Sequence, residues 1–76
     1  MNALSRRILK ILEETPIKPV SEHLLRKQCS DLGIEFENIR NEDIPMLAER
    51  LSKILPFFIG NSRAEEVVGK IKKLGG

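Results

Sequence analysis

Apolar side chains recur at three- and four-residue intervals in four separate stretches of this chain, which is the spacing of one face of an α-helix. The stripes are Leu4, Ile8, Ile11 and Leu12; Leu25, Cys29 and Leu32; Ile44, Leu47, Ala48, Leu51, Ile54, Leu55 and Phe58; and Ala64, Val67, Val68, Ile71 and Leu74. A chain of 76 residues has room for one core. The sequence therefore predicts an all-α fold, a compact four-helix domain that spans residues 1–76.

Residues that break or cap helices mark the predicted helix ends. Proline removes a backbone donor and disfavours helical backbone in the residue before it, while glycine tolerates the positive φ that follows many helices. The predicted stops are Pro16, Gly33 and Pro56, and the predicted N-terminal caps are Ser21, Asp43 and Ser62. Glu65 follows Ser62 by three residues, which is the spacing of a capping box.

The segment between the second and third helices, residues 34–39, has two interpretations. Ile34 and Phe36 alternate with glutamates, which is the pattern of a very short extended segment or strand. A lone strand would need a partner from outside the chain. The alternative, which we favour, is an extended linker that pins Phe36 or Ile39 into the core.

The chain has too few cysteines and histidines for a stabilising disulfide or metal site. Cys29 is the only cysteine and His23 the only histidine, so neither an intramolecular disulfide nor a zinc site with three or four ligands is expected. The N-terminal apolar run is shorter than that of a signal peptide, and no stretch approaches the ~20 apolar residues of a membrane span. We expect a cytoplasmic protein with no metal, cofactor or membrane partner.

The net charge of +2 conceals an uneven distribution. Residues 1–27 carry six bases and three acids, residues 28–49 one base and six acids, and residues 50–76 six bases and two acids. Charged outer faces are ordinary for amphipathic helices. Two functional alternatives are a basic surface built from both ends of the chain, and a contact between the acidic middle of one copy and the basic end of another.

A cluster of large apolar residues, Phe57, Phe58 and Ile59, stands between Pro56 and Gly60. Three consecutive side chains point in different directions, so a small core has difficulty burying all of them. Phe58 fits the stripe of the third helix, which leaves the other two to cover a helix end or to contact a partner. A packed turn with all three at least half buried is one interpretation. We predict the other, a partner interface at Phe57, Phe58 and Ile59 of a homo-oligomer or a protein complex.

Nucleic acid is the alternative partner. The candidate contacts are Arg6, Arg7, Lys70, Lys72 and Lys73, with Lys10 beside the first two. In a helix-turn-helix interpretation Gly33 would be the turn glycine and residues 36–45 the recognition helix, but that segment is acidic and would repel phosphates. The chain has no Tyr or Trp for base stacking. Any binding is expected to be weak, directed at the backbone and salt dependent.

Catalytic patterns are lacking. His23 has no nucleophile at a neighbouring helical position, and no glycine-rich phosphate loop follows a strand. Residues 60–63 place an arginine at a helix start, where an anion can bind, although a plain helix cap explains them more simply. The sequence predicts a small helical binding module without catalytic activity, with a nucleic-acid-binding regulatory protein as the alternative.

Overall fold

The four apolar stripes form four helices of 11 to 14 residues in a computed structural model, which describes residues 1–75. They are α1 (Ala3–Glu13), α2 (Ser21–Leu32), α3 (Ile44–Ile54) and α5 (Asn61–Leu74), and a single turn, α4 (Pro56–Ile59), joins α3 to α5. The predicted all-α class and four-helix architecture are confirmed. The last residue of the predicted domain, Gly76, lies outside the described residues.

One hydrophobic core fills the space between the helices. Its fully buried side chains include Ile8, Leu12, Leu25, Leu47, Leu51, Leu55 and Ile71. All four long helices contribute to it, and α3 and α5 share the most extensive packing. The helical stripes therefore identify the core, apart from the exposed end of the third stripe described below.

Residues 34–39 form a linker rather than a strand, which resolves the ambiguity in the sequence. Phe36–Asn38 is a short 3₁₀ turn, and Phe36 and Ile39 are both buried. The Ser5 hydroxyl of α1 hydrogen-bonds the Phe36 carbonyl, and Asn2 Nδ2 donates to the Ile39 carbonyl at 2.8 Å. These bonds satisfy backbone groups that a strand partner would otherwise take, because buried carbonyls need a donor.

Of the three predicted caps, Asp43 stands at the N-cap position of α3 as predicted, Ser21 and Ser62 do not stand at theirs, and none of the three side chains caps its helix. Ser21 is the first residue of α2, and its hydroxyl donates to the Lys18 carbonyl at 2.9 Å. Asp43 accepts from the Arg40 backbone N–H at 3.0 Å and so closes a 3₁₀ turn ahead of α3. Ser62 lies inside α5, which begins one residue earlier without a side-chain cap. At α3 the 3₁₀ turn accepts the Ile44 N–H at the Asn41 carbonyl, a donor that the Asp43 side chain leaves free.

Pro56 and Gly60 produce the sharp change of direction between α3 and α5. Leu55 keeps helical dihedral angles, but Pro56 has no N–H to continue the ladder and the helix restarts as α4. Gly60 then adopts a φ of +83°, which favours glycine, and α5 starts at once. The prediction that Pro56 ends or kinks the third helix is confirmed. Residues 56–60 are called the corner from here on.

Helix α5 runs antiparallel to both α3 and α1, and this fixes which helix ends meet. The end of α5 touches the start of α3, since a Cβ placed on Gly75 would lie 2.8 Å from Ile44 Cβ. Ile11 and Glu14, at the end of α1, line one cavity together with Arg63, at the start of α5. The end of α1, the corner and the start of α5 thus lie at one end of the molecule, here called the corner end.

Candidate functional site

The corner places two aromatic rings in solvent. Phe57 is 87% exposed and Phe58 57% exposed, whereas Ile59 is half buried against the core. The interpretation of a packed turn is therefore wrong, and so is the assignment of Phe58 to the buried stripe of α3. The physical reason is the break in the helix at Pro56, which places the single turn of α4 beyond the end of the core.

Exposed large apolar residues are concentrated at the corner end. Phe57 and Phe58 are the two most exposed of these residues, and Val20, which precedes α2, is 51% exposed. Among residues 1–75 only Met1 and Met46 are comparably exposed, and both stand at the other ends of their helices.

A cavity of about 670 Å³ opens beside the corner, between the end of α1 and the start of α5. Ile11, Ile59 and Val67 form its apolar part. Glu14 and Arg63 stand on its rim, and neither forms an ion pair with another residue of the described chain. The corner end thus combines apolar side chains with unpaired charges of both signs.

The start of α5 borders the same cavity. Ala64 donates the first helical hydrogen bond, to the Gly60 carbonyl at 3.0 Å, and no side chain caps the three preceding N–H groups. Thr15 is buried in the cavity wall, but its hydroxyl already donates to the Leu12 carbonyl at 2.6 Å. No polar side chain of the described cavity wall is therefore both buried and free to bind an anion.

The basic residues named from the sequence fall on different sides of the helices. Arg6 and Arg7 are exposed on α1, and Lys73 is exposed near the end of α5. Lys70 faces the α1 side and lies 3.6 Å from a Glu66 carboxylate oxygen. Lys72 faces the opposite side, where it borders a groove between α3 and α5. The five candidate contacts therefore do not form one continuous surface.

The segment that the helix-turn-helix interpretation assigns to the recognition helix does not form one continuous helix. Residues 36–45 contain two short 3₁₀ turns, and α3 begins only at Ile44. Gly33 does end α2 with a φ of +74°, as predicted. Eleven residues separate α2 from α3, which is much longer than the three- or four-residue turn of a helix-turn-helix. This geometry rules out the helix-turn-helix interpretation.

Cys29 is a packing residue of α2. Its side chain is fully buried, and burial, assisted by the negative charge of Asp43, raises the pKa of the thiol to about 11. The thiol is thus neutral near pH 7, and the thiolate that nucleophilic chemistry requires is absent. His23 is exposed. Within residues 1–75 no group of His, Cys, Asp and Glu side chains is arranged to hold a metal ion.

Comparison of the chain with protein-family models, curated proteins and solved structures finds no match. Among the described residues no helix has both the length and the apolar composition required to cross a bilayer. Two surfaces of this chain are candidate binding sites, the apolar corner end and the exposed bases of α1 and α5.

Proposed function

We propose that the protein is a small helical binding module that self-associates through its corner end, with Phe57 and Phe58 as the apolar anchors and Ile59 behind them. The observation that supports this most directly is the exposure of two adjacent aromatic rings, 87% for Phe57 and 57% for Phe58. Aromatic side chains are enriched among the residues that dominate binding energy at protein interfaces.

Stability gives a reason for a second copy to cover this surface. A chain of this length buries only about 60–65% of the surface that its unfolded form exposes. Cys29 is the only cysteine, so an internal disulfide cannot add to that stability. Burying a large apolar side chain contributes about 1.5–3 kcal/mol, and a symmetric dimer gains each contribution twice.

The charges around the corner suit a symmetric dimer. In such an interface the same surface of both copies meets, so a surface of one sign would repel its own copy. Here Glu14 and Arg63 lie on the rim of one cavity with opposite charges and without an ion pair in the described chain. A two-fold arrangement can place Arg63 of one copy against Glu14 of the other, and the reverse pair forms by symmetry.

Analytical ultracentrifugation over a wide dilution series tests the proposal. The wild-type chain should show a reversible monomer–dimer equilibrium, and Phe57→Ser should raise the dissociation constant by about 100-fold or more, because two buried rings are lost per dimer. Arg63→Glu should weaken association as well. Glu14→Arg combined with Arg63→Glu should restore it.

Met46→Ser is the matched control, since Met46 is an exposed apolar residue of α3 at the far end from the corner. It should leave the dissociation constant unchanged. A wild-type chain that remains monomeric at every concentration would contradict the proposal. An equal effect of Phe57→Ser and Met46→Ser would contradict the assignment to the corner.

A further inference from the structure

The bases of α1 and the last turn of α5 are left without ion partners. Arg6, Arg7, Lys10, Lys72 and Lys73 form no ion pair with any residue between Met1 and Gly75. All five side chains are exposed. Their positive charge is consequently available to a ligand.

Two acids in the middle of the chain have ion partners other than these bases. Asp31 pairs with Lys27 at 3.4 Å and with Arg50 at 3.8 Å. Glu37 pairs with the terminal amine and, at 3.2 Å, with Arg26. These two carboxylates are therefore already occupied by nearby bases. The alternative in which the acidic middle of one copy contacts the basic end of another stays a prediction beside the basic-surface alternative.

Helix electrostatics accounts for the bases of α5 but not for those of α1. Lys72 and Lys73 stand in the last turn of α5, where cations are favoured by the helix dipole. Arg6 and Arg7 stand near the start of α1, where the same dipole disfavours them, and the first turn of that helix has no acid. A positive charge that weakens its own helix points to a role outside the fold.

Antiparallel packing brings the two sets of bases together. The end of α1 lies beside the start of α5, so the first half of α1 lies beside the last half of α5. Packed helices are about 8–10 Å apart. Lys10 is a helical neighbour of both Arg6 and Arg7, at four and three residues. Lys73 follows Lys70, which borders the cavity between α1 and α5, by three residues and so lies next to it on α5. Arg6, Arg7, Lys10 and Lys73 are called the basic face.

The position of the basic face favours nucleic acid over a membrane surface. Lipid binding calls for apolar and basic side chains on one surface, but here the aromatic rings are at the corner, whereas Arg6, Arg7 and Lys73 lie toward the other end of α1 and α5. No aromatic residue belongs to the basic face, so base stacking of single strands has no platform there. Regularly spaced phosphates of a duplex remain as the complementary ligand.

We propose that the basic face, Arg6, Arg7, Lys10 and Lys73, binds the phosphate backbone of double-stranded nucleic acid without reading its sequence. Lys70 is excluded by its pair with Glu66, and Lys72 by its position on the α3 side of α5. This inference does not depend on self-association, since it shares no residue with the corner.

Fluorescence anisotropy with a labelled DNA duplex, the full chain and a series of salt concentrations tests this inference. Binding should appear at low salt and weaken with a log–log slope of about −0.9 per phosphate contact, hence near −3.6 for four contacts. Arg7→Glu combined with Lys73→Glu should reduce affinity by about tenfold or more and lower the magnitude of the slope by about 2.

Lys27→Glu combined with Lys53→Glu is the matched control, because it makes the same change in net charge at bases that already have ion partners on α2 and α3. It should lower affinity by less than about threefold, the effect of diffuse charge alone. An equal loss in both double variants would overturn the assignment to the basic face. Absence of duplex binding at low salt, tighter binding to single-stranded DNA, or binding to anionic lipid vesicles but not to duplex would each overturn the inference. Circular dichroism verifies that all variants remain helical.

Discussion

The guanidinium carbon of Arg26 lies 4.3 Å from the centroid of the Phe36 ring. Arg26 also contacts two carboxylates, Glu22 at 2.9 Å and Glu37 at 3.2 Å. The arginine of α2 therefore covers the buried ring of the linker and holds the linker's acid, while Ser5 and Asn2 of the α1 region bind its backbone. Residues 36–39 are fixed between α1 and α2 by these contacts, without any sheet partner.

Phe36 and Phe57 should respond in opposite ways to truncation. Phe36 is buried in the core, so Phe36→Ala should lower the free energy of unfolding by about 3–5 kcal/mol. Phe57 is exposed, so Phe57→Ala should change the free energy of unfolding of the monomer by less than about 0.5 kcal/mol. Urea denaturation at a concentration where the chain is monomeric measures both. A similar loss in the two variants would show that the corner is packed in solution.

Periodicity was sufficient to predict the helices, because each has a stripe of apolar residues that one core must bury. Ile8, Leu25, Leu51 and Ile71 all fall on their predicted stripes and are fully buried. For residues 34–39 the sequence predicts either a short strand or a linker, since the alternation of apolar and acidic residues around Phe36 is the same for both. Contacts of Ser5 and Arg26, distant in sequence, decide between them.

The surfaces were harder to predict than the core. The exposure of Phe58 depends on how Pro56 and Gly60 displace one helical turn, a tertiary effect that the spacing of apolar residues does not contain. Lys70 and Lys72 are two residues apart and therefore face different neighbours. The spacing alone does not show which helix each lysine faces, because that depends on how α1 and α3 pack against α5.

Gly60 and Gly69 should show opposite effects when changed to alanine. Gly60 has a φ of +83° and a ψ of 162°, a region that essentially only glycine adopts, so Gly60→Ala should destabilise the protein by about 1–3 kcal/mol. Gly69 lies within α5, and an added Cβ there meets nothing within 4 Å. Gly69→Ala should stabilise it by about 1 kcal/mol through helix propensity. Thermal and urea unfolding of the two variants check the signs, and a stabilising Gly60→Ala would contradict the corner geometry.

Glu37 should contribute to the acid sensitivity of the fold. The hydrogen bond from the terminal amine and, secondarily, the charge of Arg26 lower the pKa of its carboxyl below the ordinary value. A group whose pKa is lower in the folded state stabilises that state above its unfolded pKa of about 4.3, and this contribution is lost as the pH falls through the folded pKa. Glu37→Gln should therefore flatten the fall of the unfolding temperature below about pH 4.3, whereas Glu35→Gln, which removes no ion pair, should not. Equal profiles for Glu37→Gln and the wild type would argue against the contact.

Cys29 should make the fold sensitive to alkaline pH. Its thiol is fully buried, and burial with the nearby charge of Asp43 raises the pKa to about 11, from an ordinary value near 9. Between these two values the folded state binds more protons than the unfolded state, so stability is full below about pH 9 and falls as the pH rises toward 11. One pKa unit corresponds to about 1.4 kcal/mol, which limits the loss to about 2–3 kcal/mol. Urea denaturation at pH 8 and at about pH 10.5 measures this loss against Cys29→Ala, which lacks the titrating group and should lose less stability over the same interval. Equal alkaline losses in the two proteins would contradict the buried position of this thiol.

A thiol-specific reagent should react with the native chain only at the rate at which the fold opens, because the thiolate forms after Cys29 leaves the core. Rapid labelling of the native chain near neutral pH would contradict the buried position of Cys29.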